Sequence, residues 1–253
     1  LNSVLDDNKI LTLPTGDRLK IPPNVRIMME VDTLKYATLA TVSRCGMVWF
    51  PVSTVTQYMR FQALLNQLRR ALPQLLDSSQ VVMNNAKAKE TQQAFVDAIT
   101  RFFGSSEEDD NSLVAAALEW SLRQPHVMEA TRERLLETLY SLILRGIGLA
   151  IEYNETHEFP MASDHLERFA THWLLFSLLW AFGGSLEWKK RYELGELLLS
   201  MHPTDVPTGS QLPDLQVRID DGEWLEWAAS VPYTEIESHR VISSDVVVTT
   251  TDT

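Results

Sequence analysis

Residues 31–51, Val31-Asp-Thr-Leu-Lys-Tyr-Ala-Thr-Leu-Ala-Thr-Val-Ser-Arg-Cys-Gly-Met-Val-Trp-Phe-Pro51, constrain the fold more than any other stretch of this chain. They read as the end of one buried strand, a short helix, an arginine on a turn and a second buried strand. The first strand covers 25–31 and is mostly apolar, as a strand covered on both faces is. The helix runs over 38–44 and the second strand over 46–50. A helix between two such strands asks for an α/β layer. Arg44 stands where helix meets strand, beside Gly46, so a rigid scaffold projects a long cation there.

What the sequence lacks is equally restrictive. It contains no Gly-x-x-x-x-Gly-Lys-Ser/Thr phosphate loop, and no strand ending in paired Asp-Glu precedes this region. The chain begins at Leu1, without methionine, inside what reads as the end of a helix over 1–8. The expectation is a piece of a larger machine that carries only the final part of its α/β layer. Upstream of that layer, residues 10–21 give a hairpin signal. Two alternating runs flank Pro14-Thr-Gly-Asp17, where Pro sets φ and Gly accepts a positive one.

After Pro51 the period changes. Apolar residues at helical spacing predict helices over 54–72, 81–103, 112–123, 125–151, 161–182 and 186–201, an all-α bundle. Pro73 stops the first or starts the next turn. In the 125–151 helix, Met128, Leu135, Leu139, Leu142 and Ile143 are core candidates, and Gly146 and Gly148 weaken its last turns. Gly183-Gly184 offers a C-cap. Residues 104–111, Gly-Ser-Ser-Glu-Glu-Asp-Asp-Asn, form an acidic, solvated loop. From His202 the composition shifts again. Prolines and Gly209 mark a loop, 215–219 alternates as a strand, Asp220-Asp-Gly222 is a turn, 223–227 follows, and 246–249 is β-prone.

Charge and cysteine usage exclude several functions. A net charge of -12 argues against a general phosphate-backbone binder, so no nucleic-acid partner is expected, although one local basic site is compatible. Cys45 is the single cysteine, which rules out an internal disulfide and a cysteine zinc cluster and fits a reducing compartment. The most apolar stretch, 173–182, falls far short of the roughly 18–20 residues that span a bilayer, so no membrane insertion is expected. The histidines show no H-E-x-x-H spacing. Each candidate also has a plainer reading. Arg44 can cap the carbonyls of its helix. Glu30 can be a surface carboxylate. Arg132 and Arg134 can form a solvated face with Glu129, Glu133 and Glu137. Asp6-Asp7 suits turn formation, Cys45 a small buried hydrophobe, and Trp173, Trp180 and the apolar stripe between them a core.

An α/β end, a helical bundle and the start of another β-containing unit is how one AAA+ module hands over to the next. Leu1-Asn-Ser-Val-Leu-Asp-Asp-Asn-Lys9, Leu11-Thr-Leu-Pro14, Pro22-Pro-Asn-Val-Arg-Ile-Met28 and Leu34-Lys-Tyr-Ala-Thr-Leu-Ala-Thr-Val-Ser-Arg-Cys-Gly-Met-Val-Trp-Phe50 resemble the cytoplasmic dynein heavy chains. The similarity is to their second AAA+ module, from just after the Walker B strand. It continues more weakly through Arg191-Tyr-Glu-Leu-Gly-Glu196 to Val231-Pro232 and Asp245-Val-Val-Val248, like the entry to the third module. The run Ser43-Arg-Cys-Gly-Met-Val-Trp-Phe50 separates this family from other AAA+ rings, such as ribosome-assembly remodellers.

The resemblance implies three parts: 1–51, the C-terminal part of a large α/β subdomain; 52–202, a helical small subdomain; and 203–253, a linker and the β-containing start of the next module. It implies a cytoplasmic, microtubule-associated ATP-driven motor with coiled coil elsewhere in the chain. ATP or ADP with Mg2+ would be held in the full-length ring and not by this fragment, which alone would be inactive. Implied partners are the neighbouring AAA+ modules of the same heavy chain and, through the full-length protein, microtubules, intermediate and light chains and dynactin. Arg44 takes the position of an arginine finger acting in trans on the neighbouring module's nucleotide. Glu30 takes the sensor I position, where Asn is more usual, and a glutamate there would repel phosphate. Arg134 falls near sensor II, with Arg132 as the competing residue. The contrasting reading is a non-catalytic helical scaffold that spaces two ring modules.

Overall fold

The computed structural model describes residues 2–51, 54–78, 85–106 and 111–230. The chain divides into two units, 1–54 and 55–253. The expected β-prone run 246–249, the residues 231–232 and 245–248 of the resemblance, and the start of the expected helix at 81–84 lie outside the described residues.

In the first unit, α1 (Asn2–Leu5) is followed by β1 (Ile10–Thr12) and β2 (Arg18–Lys20), an antiparallel pair with Ile10 opposite Lys20 and Thr12 opposite Arg18. Their turn closes because the Leu13 N–H donates to the Asp17 carbonyl at 2.9 Å, with Gly16 at φ 91. Helix α2 (Leu39–Val42) starts where the Thr38 side chain accepts from the Thr41 N–H at 3.2 Å. It is shorter than the expected 38–44, and residues 43–45 continue as a turn.

The two flanking strands are not formed. Residues 25–31 and 46–50 have no sheet pairing among the described residues, and they are exposed: Met28 is 95% and Trp49 81% accessible. A central strand needs a hydrogen-bonding neighbour on each edge and a covering layer on each face. No described segment of this chain supplies either, so apolar composition alone leaves both runs irregular.

The second unit is a bundle. Its helices are α3 (Gln57–Arg70), α4 (Leu72–Ser78), α5 (Asn85–Thr100), α6 (Leu113–Leu122), α7 (Arg132–Thr156), α8 (Ser163–Gly183) and α9 (Trp188–Met201). Side chains at their starts explain the boundaries. Thr56 accepts from the Met59 N–H at 3.2 Å, Ser112 from the Ala115 N–H at 3.3 Å and Thr131 from the Arg134 N–H at 3.3 Å. Pro73 sits in the first turn of α4, where its missing N–H has no intrahelical acceptor to lose. The apolar stripes meet in one core holding Phe61, Leu65 and Leu68 of α3, Phe95 and Ile99 of α5, Leu139, Ile143 and Ile147 of α7, and Phe169, Leu178 and Phe182 of α8. Each large side chain fully withdrawn from water contributes about 1.5–3 kcal/mol before chain entropy.

Helix α7 starts at Arg132, not at 125. Residues 125–131 are instead a connection tied to the α8–α9 turn: His126 bridges Leu186, and the Val127 N–H donates to the Ser185 carbonyl at 2.9 Å. Met128, expected in the core, is therefore exposed, whereas Leu135, Leu139 and Ile143 are buried. The helix runs unbroken through Gly146 and Gly148 to Thr156. Gly146 has a packing reason. A Cβ there would lie 2.2 Å from the Trp173 indole, which donates its Nε1–H to the Leu142 carbonyl at 2.8 Å.

The segment after α9 completes the same core. A short 3-10 turn over 212–214 leads into β3 (Leu215–Val217), which pairs antiparallel with β4 (Trp224–Glu226) before α10 (Trp227–Ser230). Leu212, Leu215 and Trp224 join the buried cluster. His172 of α8 anchors this hairpin. Its Nδ1–H donates to the Gly222 carbonyl at 2.7 Å, its Nε2 accepts from Thr204 Oγ1 at 2.7 Å, and its ring stacks on Trp224 at 4.8 Å.

Candidate functional site: two arginine positions

Arg44 leaves the C-terminal end of α2 on a turn whose N–H donates to the Thr41 carbonyl at 3.2 Å. Its Nη1–H donates to the Ala40 carbonyl at 2.7 Å, the plain capping role for a cation at a helix end. Its Nε–H forms an ion pair with Asp6, just after α1. About a third of each of these two side chains stays in water. Exposed pairs of this kind contribute only about 0–1 kcal/mol. The arrangement therefore orients a guanidinium without committing it. Sequence reading missed Asp6 as this partner, since a separation of 38 residues carries no periodic signal. Glu30 lies in the irregular 25–31 run, exposed, with no hydrogen bond or ion pair to a described residue.

In the second unit, Arg132 and Arg134 behave differently although they sit two residues apart on the first turn of α7. Arg132 is half-buried and doubly engaged: Nη1 lies 2.6 Å from Gln57 Oε1 and 2.6 Å from Glu119 Oε1. It fastens α7 to α3 and α6. Arg134 is exposed and, among the described residues, its guanidinium reaches only the Glu129 carbonyl, at 3.1 Å. The expected pairing of these arginines with carboxylates of their own helix is absent among the described residues. Glu133 pairs instead with Arg60 of α3. The two arginines thus separate into a structural fastener and a cation free to meet an anion.

Among the described residues no group of His, Cys, Asp or Glu is arranged to hold a metal ion. The candidate residues are three guanidinium groups, Arg44, Arg132 and Arg134, and one carboxylate, Glu30. Among the described residues no helix is long and apolar enough to cross a membrane.

Residues 109–229, most of the helical bundle and its β-hairpin, match the family model of the dynein heavy chain AAA lid domain. Over its whole length the chain is 39% identical to a cytoplasmic dynein heavy chain of Drosophila melanogaster, 41% to one of Fusarium vanettenii and 38% to one of Dictyostelium discoideum. The chain belongs to the dynein heavy chain family. It spans about 6% of the length of these relatives.

Proposed function

We propose that this chain is a section of an ATP-driven microtubule motor ring and that Arg44 acts in trans on the nucleotide of a neighbouring AAA+ module. The observation that carries the reading is the state of Arg44: anchored at a helix end, held by one exposed carboxylate, in a chain alike to dynein heavy chains from end to end. Guanidinium stays charged at all working pH and forks onto phosphate oxygens. Supplied in trans to phosphoryl transfer, it is worth roughly 10³–10⁵-fold in rate. Residues 1–51 then belong to the large subdomain of the second module, with other parts of the heavy chain supplying the neighbours that 25–31 and 46–50 need. The small subdomain covers 52–202 at least, and the packing of Leu215 and Trp224 of the hairpin into the bundle's core supports extending it into 203–230. Glu30 takes the sensor I position, and a carboxylate there suits a module that binds nucleotide without turning it over. Arg134 is preferred to Arg132 at sensor II, because Arg132 is already spent on Gln57 and Glu119. ATP, ADP and Mg2+ belong to the complete ring, as do microtubules and accessory chains, and the setting is the cytoplasm.

The test is ATP turnover of the complete motor carrying Arg44→Ala, with nucleotide binding measured in parallel. The expected result is a fall of about a hundredfold or more with nucleotide still bound. Near-normal turnover would leave this region as a structural scaffold of the ring.

A further inference from the structure

An open groove of about 600 Å³ lies between α9 and the segment that follows it, lined by Trp188, Lys189, Tyr192, Glu193, Glu196, Gly209, Gln211 and Asp214. Its floor is fixed. Gly195 lets α9 approach the 212–214 turn so closely that a Cβ would sit 3.3 Å from Leu212 and Pro213. The Tyr192 hydroxyl donates to Asp214 at 2.5 Å, and the Gln211 N–H donates to the other oxygen of the same carboxylate at 3.1 Å. The rim carries two aromatic rings. Trp188 is 65% exposed, although burial would favour it more than almost any other side chain. Tyr192 meets it edge to face, with centroids 6.0 Å apart.

The electrostatics point one way. Three carboxylates, Glu193, Glu196 and Asp214, line the groove against one lysine. That lysine, Lys189, lies over the Trp188 ring with Nζ 5.6 Å from its centroid, so the ring already draws a cation from its own chain. Glu193 pairs with Lys190 at 2.6 Å, whereas Glu196 is exposed and has no ion pair among the described residues. Indole face, phenol and an unneutralised carboxylate within one concavity form a receptor for an alkylammonium or guanidinium group.

We propose that this groove docks a basic, extended segment of a protein partner, taking one lysine or arginine side chain between Trp188 and Glu196. The partner's cation displaces Lys189 from the indole and is neutralised by Glu196, while backbone on either side lies along the open rim. The inference is independent of the role given to Arg44.

The test is a titration of the full chain into a fluorescein-labelled peptide of alternating arginine and glycine, read by anisotropy. Saturable binding is expected, weakened about tenfold or more by Trp188→Ala and by Glu196→Gln, and unchanged by Glu137→Gln on α7. Trp188 and Glu196 are exposed, and circular dichroism checks that both variants keep the helical bundle. An absence of binding overturns the proposal. So does an equal loss in Glu137→Gln, which would reduce the effect to general attraction by an acidic chain, and so does unchanged binding by Trp188→Ala.

Discussion

The Trp173 indole occupies the volume that any side chain at position 146 would need. Gly146→Ala therefore overpacks the α7–α8 contact, and the expected loss is about 1–3 kcal/mol. Urea unfolding should show the midpoint falling, with a blue or red shift of tryptophan emission reporting the displaced ring. His172 makes a second residue-level prediction. Burial lowers its pKa, against the smaller opposing pull of the Gly222 carbonyl and Glu223, while Arg168 and His202 lower it further. His202 is also lowered, by burial and by Arg101. With folded values below the unfolded one of about 6.5, the native state binds fewer protons than the unfolded state. Their stabilisation is complete above about pH 6.5 and declines as pH falls from there toward the lowered values. Urea midpoints should therefore drop between about pH 7.5 and about pH 5.5. His172→Gln should be less stable at the upper pH yet show a shallower drop, with the His202 share remaining. The neutral tautomer follows from the contacts, since Nδ1 faces a carbonyl and Nε2 faces a hydroxyl.

At the scale of elements, the β3–β4 hairpin depends on Gly222, which has φ 73 and whose Cβ would lie 2.9 Å from the Phe169 nitrogen. Gly222→Ala combines backbone strain of about 1–3 kcal/mol with a clash. Hydrogen exchange should quicken across 215–226 while the centre of α8 stays protected. Elements whose signal is local were legible in the sequence. The turns around Gly16 and Gly222, the helical stripes, and a helix opening at Ser112 follow from φ requirements, period and capping chemistry near at hand. Elements whose signal lies in a partner were not. The start of α7 moved to Arg132 because residues 125–131 bond to 185–186, some sixty positions away. Gly146 read as a weakness until Trp173 supplied its reason. Residues 25–31 and 46–50 have the composition of buried strands, but pairing is a property of two segments and this chain describes one side of it. The candidate site divided in the same way. The place of Arg44 on a helix-end turn was legible, whereas its hold on Asp6 and the engagement of Arg132 by Glu119 and Gln57 are tertiary facts.

At the scale of the whole chain, the two units differ in how much they bury. Most of the large buried side chains lie in the second, while Met28, Tyr36, Leu39, Val48, Trp49 and Phe50 of the first are exposed. Brief proteolysis of the 253-residue chain should cut first within 21–51, leaving a resistant helical product beginning near Val55. Early cleavage between α7 and α9 instead would contradict this ordering. The Trp173–Gly146 fit also has a mechanical consequence. A bulky ring seated in a notch one residue wide acts as a key in a shaft. Helices α7 and α8 cannot slide by a turn, about 5.4 Å, without lifting the indole out of the Gly146 notch and breaking its bond to the Leu142 carbonyl. The two longest helices therefore behave as one stiff strut. Pushing one of these helices along its axis should therefore carry the other with it, through the seated indole and its bond to the Leu142 carbonyl.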